Sequence, residues 1–205
     1  MFDQFDPAED KMLQVIDNNG KVISKELMPG LSDDEMLKLY KDMLFVRTLD
    51  HMIVSYQRQG RVYTYPPNYG QEAIGVAAGA VLRHEDWLVP AFRELGAWLA
   101  KGVTMKEIFM FNMGFEDGMR FNEANHMLPF SVPIASQLLH ASGIGYAIKY
   151  QKKDEVAMAF VGDGGTSEGD FHEALNFAGV WKVPVIFVVQ NNQYAISVPV
   201  KMQTA

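Results

Sequence analysis

The stretch VAMAFVGDGGTSEGDFHEALNFAGVWKVPVIFVVQNN, residues 156–192, limits the possible folds most severely. Two apolar strand-like runs, 156–161 and 184–190, flank a glycine-rich turn and a helical segment. Strands that alternate with helices point to a mostly parallel sheet covered by helices on both faces, an α/β fold. Parallel neighbours end at the same edge, and ligands of such sheets bind beyond those carboxyl ends. Asp163 follows the first run and Asn192 closes the second, so both are expected at that edge.

The residue types there suit one chemistry. Gly162, Gly164 and Gly165 are expected to let the backbone turn tightly and expose its N–H groups. With a helix starting near Ser167 and Glu168, they would form an anion cradle. An acid set in an anion cradle makes sense when a cation accompanies the anion. Magnesium takes about six oxygens, commonly one or two from protein and the rest from phosphate and water. The Asp163 carboxylate, the Asn192 amide oxygen and a nearby backbone carbonyl could therefore meet a diphosphate-bound metal. GDG alone reads as a helix-capping Asp, and NN alone as a turn. Their combination across strand, helix and strand is what favours a diphosphate and a metal.

The remainder of the chain fits one sizeable domain. Residues 1–30 read as a polar arm that opens acidic and carries a hairpin-like turn over Asn18 to Lys21. The domain is expected to fill residues 31–205. Ser32 and Glu35 form a capping-box pattern, followed by apolar residues at helical spacing (Met36, Leu39, Tyr40, Met43, Val46) up to Gly60. RVYTYPPNYG is extended, since its prolines forbid a helix. Further helices are predicted from Gln71, through AFRELGAWLAKG, behind Thr104 with Glu107, and from Ile134; DWLVP is a short strand, and 112–130 is irregular. The helices from Gln71 and Ala135 are rich in small residues and suit close packing against a partner. With 205 residues and a net charge of −7, the chain lacks the clustered basic residues that nucleic acid requires. It has no cysteine, hence no disulfide or thiolate site, and no apolar run approaching the ~20 residues of a membrane span. A cytoplasmic protein is expected.

The glycine turn and asparagine pair resemble the thiamine diphosphate signature. With their flanks they are similar to the α subunits of heterodimer-forming 2-oxo acid dehydrogenases, above all the pyruvate dehydrogenase α subunits of Gram-positive bacteria. MPGLSDDEMLKLYKDMLFVRTLD, RQGRVYTYPPNYGQEA, LVPAFRELG and PIASQLLHASGIGYAIK have counterparts in the same order. The resemblance implies a thiamine diphosphate-binding fold. Asp163, Asn192 and the backbone carbonyl of Tyr194 would hold Mg²⁺, and Gly164 and Gly165 would offer N–H groups to the diphosphate. Arg93 would contact the diphosphate beside Phe92. Ile134 would be the apolar wedge that bends the cofactor, the catalytic assignment, and Val132 would offer backbone to its aminopyrimidine. The implied reaction is oxidative decarboxylation of pyruvate with transfer of the acetyl group to the lipoyl group of a partner acyltransferase. The implied assembly is α2β2, in which a β subunit supplies an activating Glu, so the chain by itself is expected to be inactive.

Several positions depart from the family pattern. Phe92 stands where relatives carry Tyr, Pro66 where some carry His, and FNMGFEDGMRFNEANHMLPF is poorer in Gly and His than its counterparts. The sequence ends at VKMQTA, whereas the relatives continue to a histidine-bearing loop that none of the five histidines here matches. Asn68, Tyr69 and Gly70 lean toward the branched-chain 2-oxo acid enzymes, NNQYAIS toward pyruvate, and acetoin dehydrogenase is a third alternative. A truncated, non-catalytic subunit is the rival outside the enzymes.

Overall fold

The computed structural model describes residues 13–204; the opening twelve residues of the expected arm, with their acidic pattern, and Ala205 lie outside the described residues. The chain divides into two compact units, Met1–Lys38 and Leu39–Ala205. In the first, the expected hairpin turn forms: Ile16 and Val22 make an antiparallel bridge. Gly20 takes the left-handed conformation (φ +80°), and Asp17 Oδ1 accepts the N–H groups of Asn19 and Lys21, each at 2.9 Å. The capping box also closes. Glu35 Oε2 accepts the Ser32 N–H at 2.7 Å and Ser32 Oγ accepts the Glu35 N–H at 3.3 Å, starting helix α1 (Asp33–Arg58), which spans the boundary in sequence.

The second unit is α/β. After α1 come α2 (Glu72–Val81), β1 (Trp87–Val89), α3 (Leu95–Ala100), α4 (Met105–Asn112) and α5 (Ser136–Tyr150). Then follow β2 (Ala157–Gly162), α6 (Gly169–Trp181), β3 (Val185–Gln190) and a small antiparallel pair, β4 (Tyr194–Ala195) and β5 (Val198–Pro199). The main sheet is parallel in the order β1-β2-β3, with Ala157 opposite Val185 and Gly162 opposite Gln190. Strand alternation sends Leu88, Met158, Phe160 and Val188 into a core with α1, α2, α3 and α4. Val89, Ala159, Val161 and Phe187 pack instead against α5 and Ala174 of α6. Helices thus cover both faces, as the alternation predicted.

Packing corrects the stripe expected on α1. On α1 the buried stripe is Val46, Leu49, Asp50 and Ile53, while Met36 and Tyr40 from the expected stripe are exposed. Of the small residues of α2 and α5, Gly75, Gly79 and Gly145 are taken up by close crossings within the chain, while Ala73, Ala77, Ala80 and Gly143 stay exposed. A Cβ on Gly96 would lie 2.7 Å from the Val76 nitrogen, one on Gly79 2.4 Å from Ala100 Cβ, and one on Gly145 2.4 Å from Val185 Cγ2. Glycines at these crossings let backbones touch, so they are not free for a partner. Gly96→Ala should therefore cost about 1–3 kcal/mol, because the nearest atom is backbone and cannot swing aside. Thermal melting reads this directly, and an unchanged midpoint would refute the close crossing.

The candidate diphosphate cleft

The carboxyl ends of β1, β2 and β3 open on one cleft of about 690 Å³. Residues following β1 bring Phe92 and Arg93, the loop before α5 brings Ile134, and the turn after β2 brings Asp163, Gly164 and Gly165. Asn192 and Tyr194 enter from the segment beyond β3. Eight of the nine expected site residues line this wall. Val132 does not: it is exposed and lines a neighbouring apolar pocket of about 400 Å³. Phe92 and Ile134 are shared by both cavities, and Tyr63, Trp98, Phe111 and Phe130 furnish the second.

The glycine turn winds as a 3-10 turn over Asp163–Ser167, and α6 begins at Gly169 with Glu168 as its N-cap, close to the start that the sequence suggested. Its glycines serve close approach. None adopts a left-handed φ, contrary to the expected need for backbone freedom. A Cβ on Gly165 would sit 2.3 Å from Val161 Cγ2 and 3.2 Å from Ile134 Cγ2; one on Gly164 would sit 2.8 Å from Ala195 Cβ. The turn's carbonyls are held by side chains. Thr166 Oγ1 donates to the Asp163 oxygen at 2.7 Å, Ser167 Oγ to that of Gly164 at 3.1 Å, and Gln203 Nε2 also donates to Gly164. Fixing the carbonyls this way fixes the direction of the N–H groups.

Asp163 is buried, 3 % exposed, and its Oδ2 has no hydrogen-bond partner among the described residues. The same holds for Gln71 Oε1, Gln137 Oε1, Gln190 Nε2 and Gln203 Oε1, all on the same cleft. Buried polar atoms are nearly always paired, so their convergence marks a wall built for a polar ligand. A carboxylate oxygen beside neutral oxygens and a glycine cradle is a donor set that suits Mg²⁺ and a diphosphate. Among the described residues no three His, Cys, Asp or Glu side chains cluster as a metal site.

Asn192 differs from its expected place. β3 ends at Gln190, and Asn191 and Asn192 turn the chain: their Oδ1 atoms accept the N–H groups of Gln193 at 2.8 Å and Tyr194 at 2.9 Å. An amide oxygen has two lone pairs, so Asn192 keeps one for a ligand.

Glu94 escaped the sequence reading although it follows Arg93. It is 1 % exposed and lines the cleft, and its Oε2 accepts the Arg93 N–H at 3.1 Å. Burial pushes its carboxyl up to about 8, so it is mostly neutral near pH 7. The adjacent guanidinium, itself lowered by burial, is then not cancelled by its neighbour and keeps its charge for an anion. Gln137 and Gln203 gave no sequence signal, because their partners lie on Phe160 and Gly164. The histidines stay outside the site. His172 and His140 are exposed, and His126 stacks on Trp87 at the opposite end of β1.

The family described as dehydrogenase E1 component matches residues 40–205. The chain is 40% identical over 195 residues to the pyruvate dehydrogenase E1 component subunit alpha of Staphylococcus aureus (strain Mu50 / ATCC 700699), covering 95% of this chain and 53% of that protein. It is 38% identical to the Staphylococcus epidermidis protein of the same description, with the same coverage. The chain thus spans about half the length of the curated relatives it matches. A solved structure of a thiamin diphosphate-dependent enzyme from Mycobacterium smegmatis aligns with a TM-score of 0.41 at 20% identity, over 67% of this chain and 22% of that one.

Proposed function

The chain belongs to the dehydrogenase E1 component family, and from that premise we propose that it is the diphosphate- and metal-binding part of a pyruvate dehydrogenase α subunit. The observation that carries this is the buried Asp163 oxygen, without a hydrogen-bond partner among the described residues, at the carboxyl end of the central strand, on the same wall as Arg93 and the glycine turn. Asp163, Asn192 and the Tyr194 carbonyl would hold Mg²⁺; Arg93 and the N–H groups of Gly164 and Gly165 would take the diphosphate. Bound thiamine diphosphate would supply the electron sink for decarboxylating a 2-oxo acid. The chain's own residues orient it: Ile134 packs on Gly165 and offers an apolar face beside the cleft, and Phe92 extends that face. The acetyl group would pass to the lipoyl group of an acyltransferase.

A β subunit in an α2β2 assembly, in the cytoplasm, completes the proposal. Tyr40, Leu44 and Phe45 on α1 remain 56%, 48% and 47% exposed, the kind of apolar surface a partner covers.

The aromatic pocket of about 400 Å³ favours a second reading, the branched-chain 2-oxo acid enzyme. It adjoins the cleft through Phe92 and Ile134 and is far larger than the methyl group of pyruvate. Calorimetric titration tests the common core. Thiamine diphosphate should bind in a Mg²⁺-dependent way and thiamine should not; equal binding of the two would sink the diphosphate assignment. Relative turnover of pyruvate and 2-oxoisovalerate with the β subunit then separates the two substrates.

A further inference from the structure

Arg93 is tied to one short segment from two directions. Its guanidinium donates to the Pro67 carbonyl, and the N–H of Leu95, first residue of α3, donates to Asn68 Oδ1 at 3.0 Å. No local side chain caps α3, so Asn68 does this from a distant loop. That loop is anchored in turn by a buried acid. Asp50 Oδ1 accepts the Asn68 N–H at 2.6 Å and the Tyr65 hydroxyl at 2.7 Å, and Asn68 Nδ2 donates to the Tyr65 oxygen at 3.2 Å.

These groups are costly where they are. Asp50 is 1 % exposed and interrupts the stripe that Val46, Leu49 and Ile53 present to the core. An aliphatic residue would complete that stripe, and burying a carboxylate costs several kcal/mol unless its hydrogen bonds and charges compensate. The loop already has a second fastening to α1: Arg47 pairs with Glu72 and lies 4.1 Å over the Tyr69 ring, which also stacks on His51. What Asp50 adds is a fixed Asn68, and with it a fixed acceptor for the Arg93 side chain at Pro67 and a fixed cap for α3 at Leu95. It also sets a negative charge that interacts with the guanidinium.

We propose that Asp50, Tyr65 and Asn68 are positioning residues that set the Arg93 side chain and thereby the affinity of the cleft for a diphosphate. This rests on the diphosphate reading of the cleft given above. None of the three lines that cleft, although Tyr65 lines the neighbouring aromatic pocket, so their effect on a diphosphate passes through Arg93.

The test is a double-mutant cycle on this chain, with inorganic pyrophosphate and Mg²⁺ as the calorimetric probe. Asn68→Ala and Arg93→Ala should each weaken binding about tenfold, and the double variant should be no weaker than the worse single one, since both remove the same interaction. Losses that multiply, or an Asn68→Ala that melts earlier yet binds as wild type, would overturn the proposal and leave Asn68 a structural cap. Tyr65→Phe is the milder variant should Asn68→Ala not fold. It keeps the ring and removes the hydroxyl shared by Asp50 and Asn68, so a loss of severalfold is expected that disappears in the Arg93→Ala background. A folded wild-type chain that does not bind the probe would instead refute the diphosphate reading itself, and this inference with it.

Discussion

Asp163→Ala is expected to lose Mg²⁺-dependent binding of thiamine diphosphate by at least about 100-fold, roughly 2.7 kcal/mol, while the protein without cofactor is no less stable than wild type. The two halves of this result have one cause. The Asp163 Oδ2 atom is buried with no hydrogen-bond partner among the described residues, so no hydrogen bond among them depends on it. Its removal takes away the only carboxylate assigned to the metal and no hydrogen bond that Oδ2 makes among the described residues. Asp163→Asn should fall between, because the amide retains a neutral oxygen ligand. Asn192→Ala should likewise weaken binding less than Asp163→Ala. Titration calorimetry reads affinity, and melting without cofactor reads stability. Wild-type affinity in Asp163→Ala would remove the metal assignment; a steep loss of melting temperature would make the carboxylate a structural cap.

Replacement of Glu94 by Gln should remove a pH dependence of stability worth roughly 3 kcal/mol between about pH 5 and 8. The sign follows from the direction of the shift. Burial raises the carboxyl from its ordinary 4.5 to about 8, so between those values the folded chain binds a proton that the unfolded chain has released. The stabilisation is complete below about 4.5 and is lost as pH rises through about 8. Gln cannot ionise in either state, and its amide oxygen can still accept the Arg93 N–H. Denaturant unfolding across this range should slope downward for wild type and run flatter for Glu94→Gln. Parallel curves would mean that Glu94 is ionised and paired in the native cleft, and Arg93 would then carry less free charge for an anion.

What was legible in the sequence was local or periodic. Ser32 with Glu35 and Thr104 with Glu107 start helices through capping boxes closed within four residues. The alternation of strand and helix over 156–192 fixes a parallel pair, and the pair alone brings Asp163 and the asparagines to one edge. Recognition of the family signature added Arg93, Phe92 and Ile134, which no spacing rule singles out, and all three line the cleft. Val132 lines the adjoining pocket instead, because sequence proximity to Ile134 says nothing about which side of an irregular loop a residue faces. For the glycines, packing reveals a reason that the sequence does not: they leave room for Val161, Ile134 and Ala195.

The amino-acid sequence by itself therefore determined the α/β class, the helix starts and which residues stand at the carboxyl edge, because these depend on backbone periodicity and on hydrogen bonds between near neighbours. Only the tertiary structure decided that burial raises the Glu94 carboxyl to about 8, that Gln203 holds the glycine turn, and that Asp50 holds Asn68, whose amide oxygen caps α3 just after Arg93. Each of those depends on desolvation or on partners far apart in the chain, and burial is a property of the assembled fold.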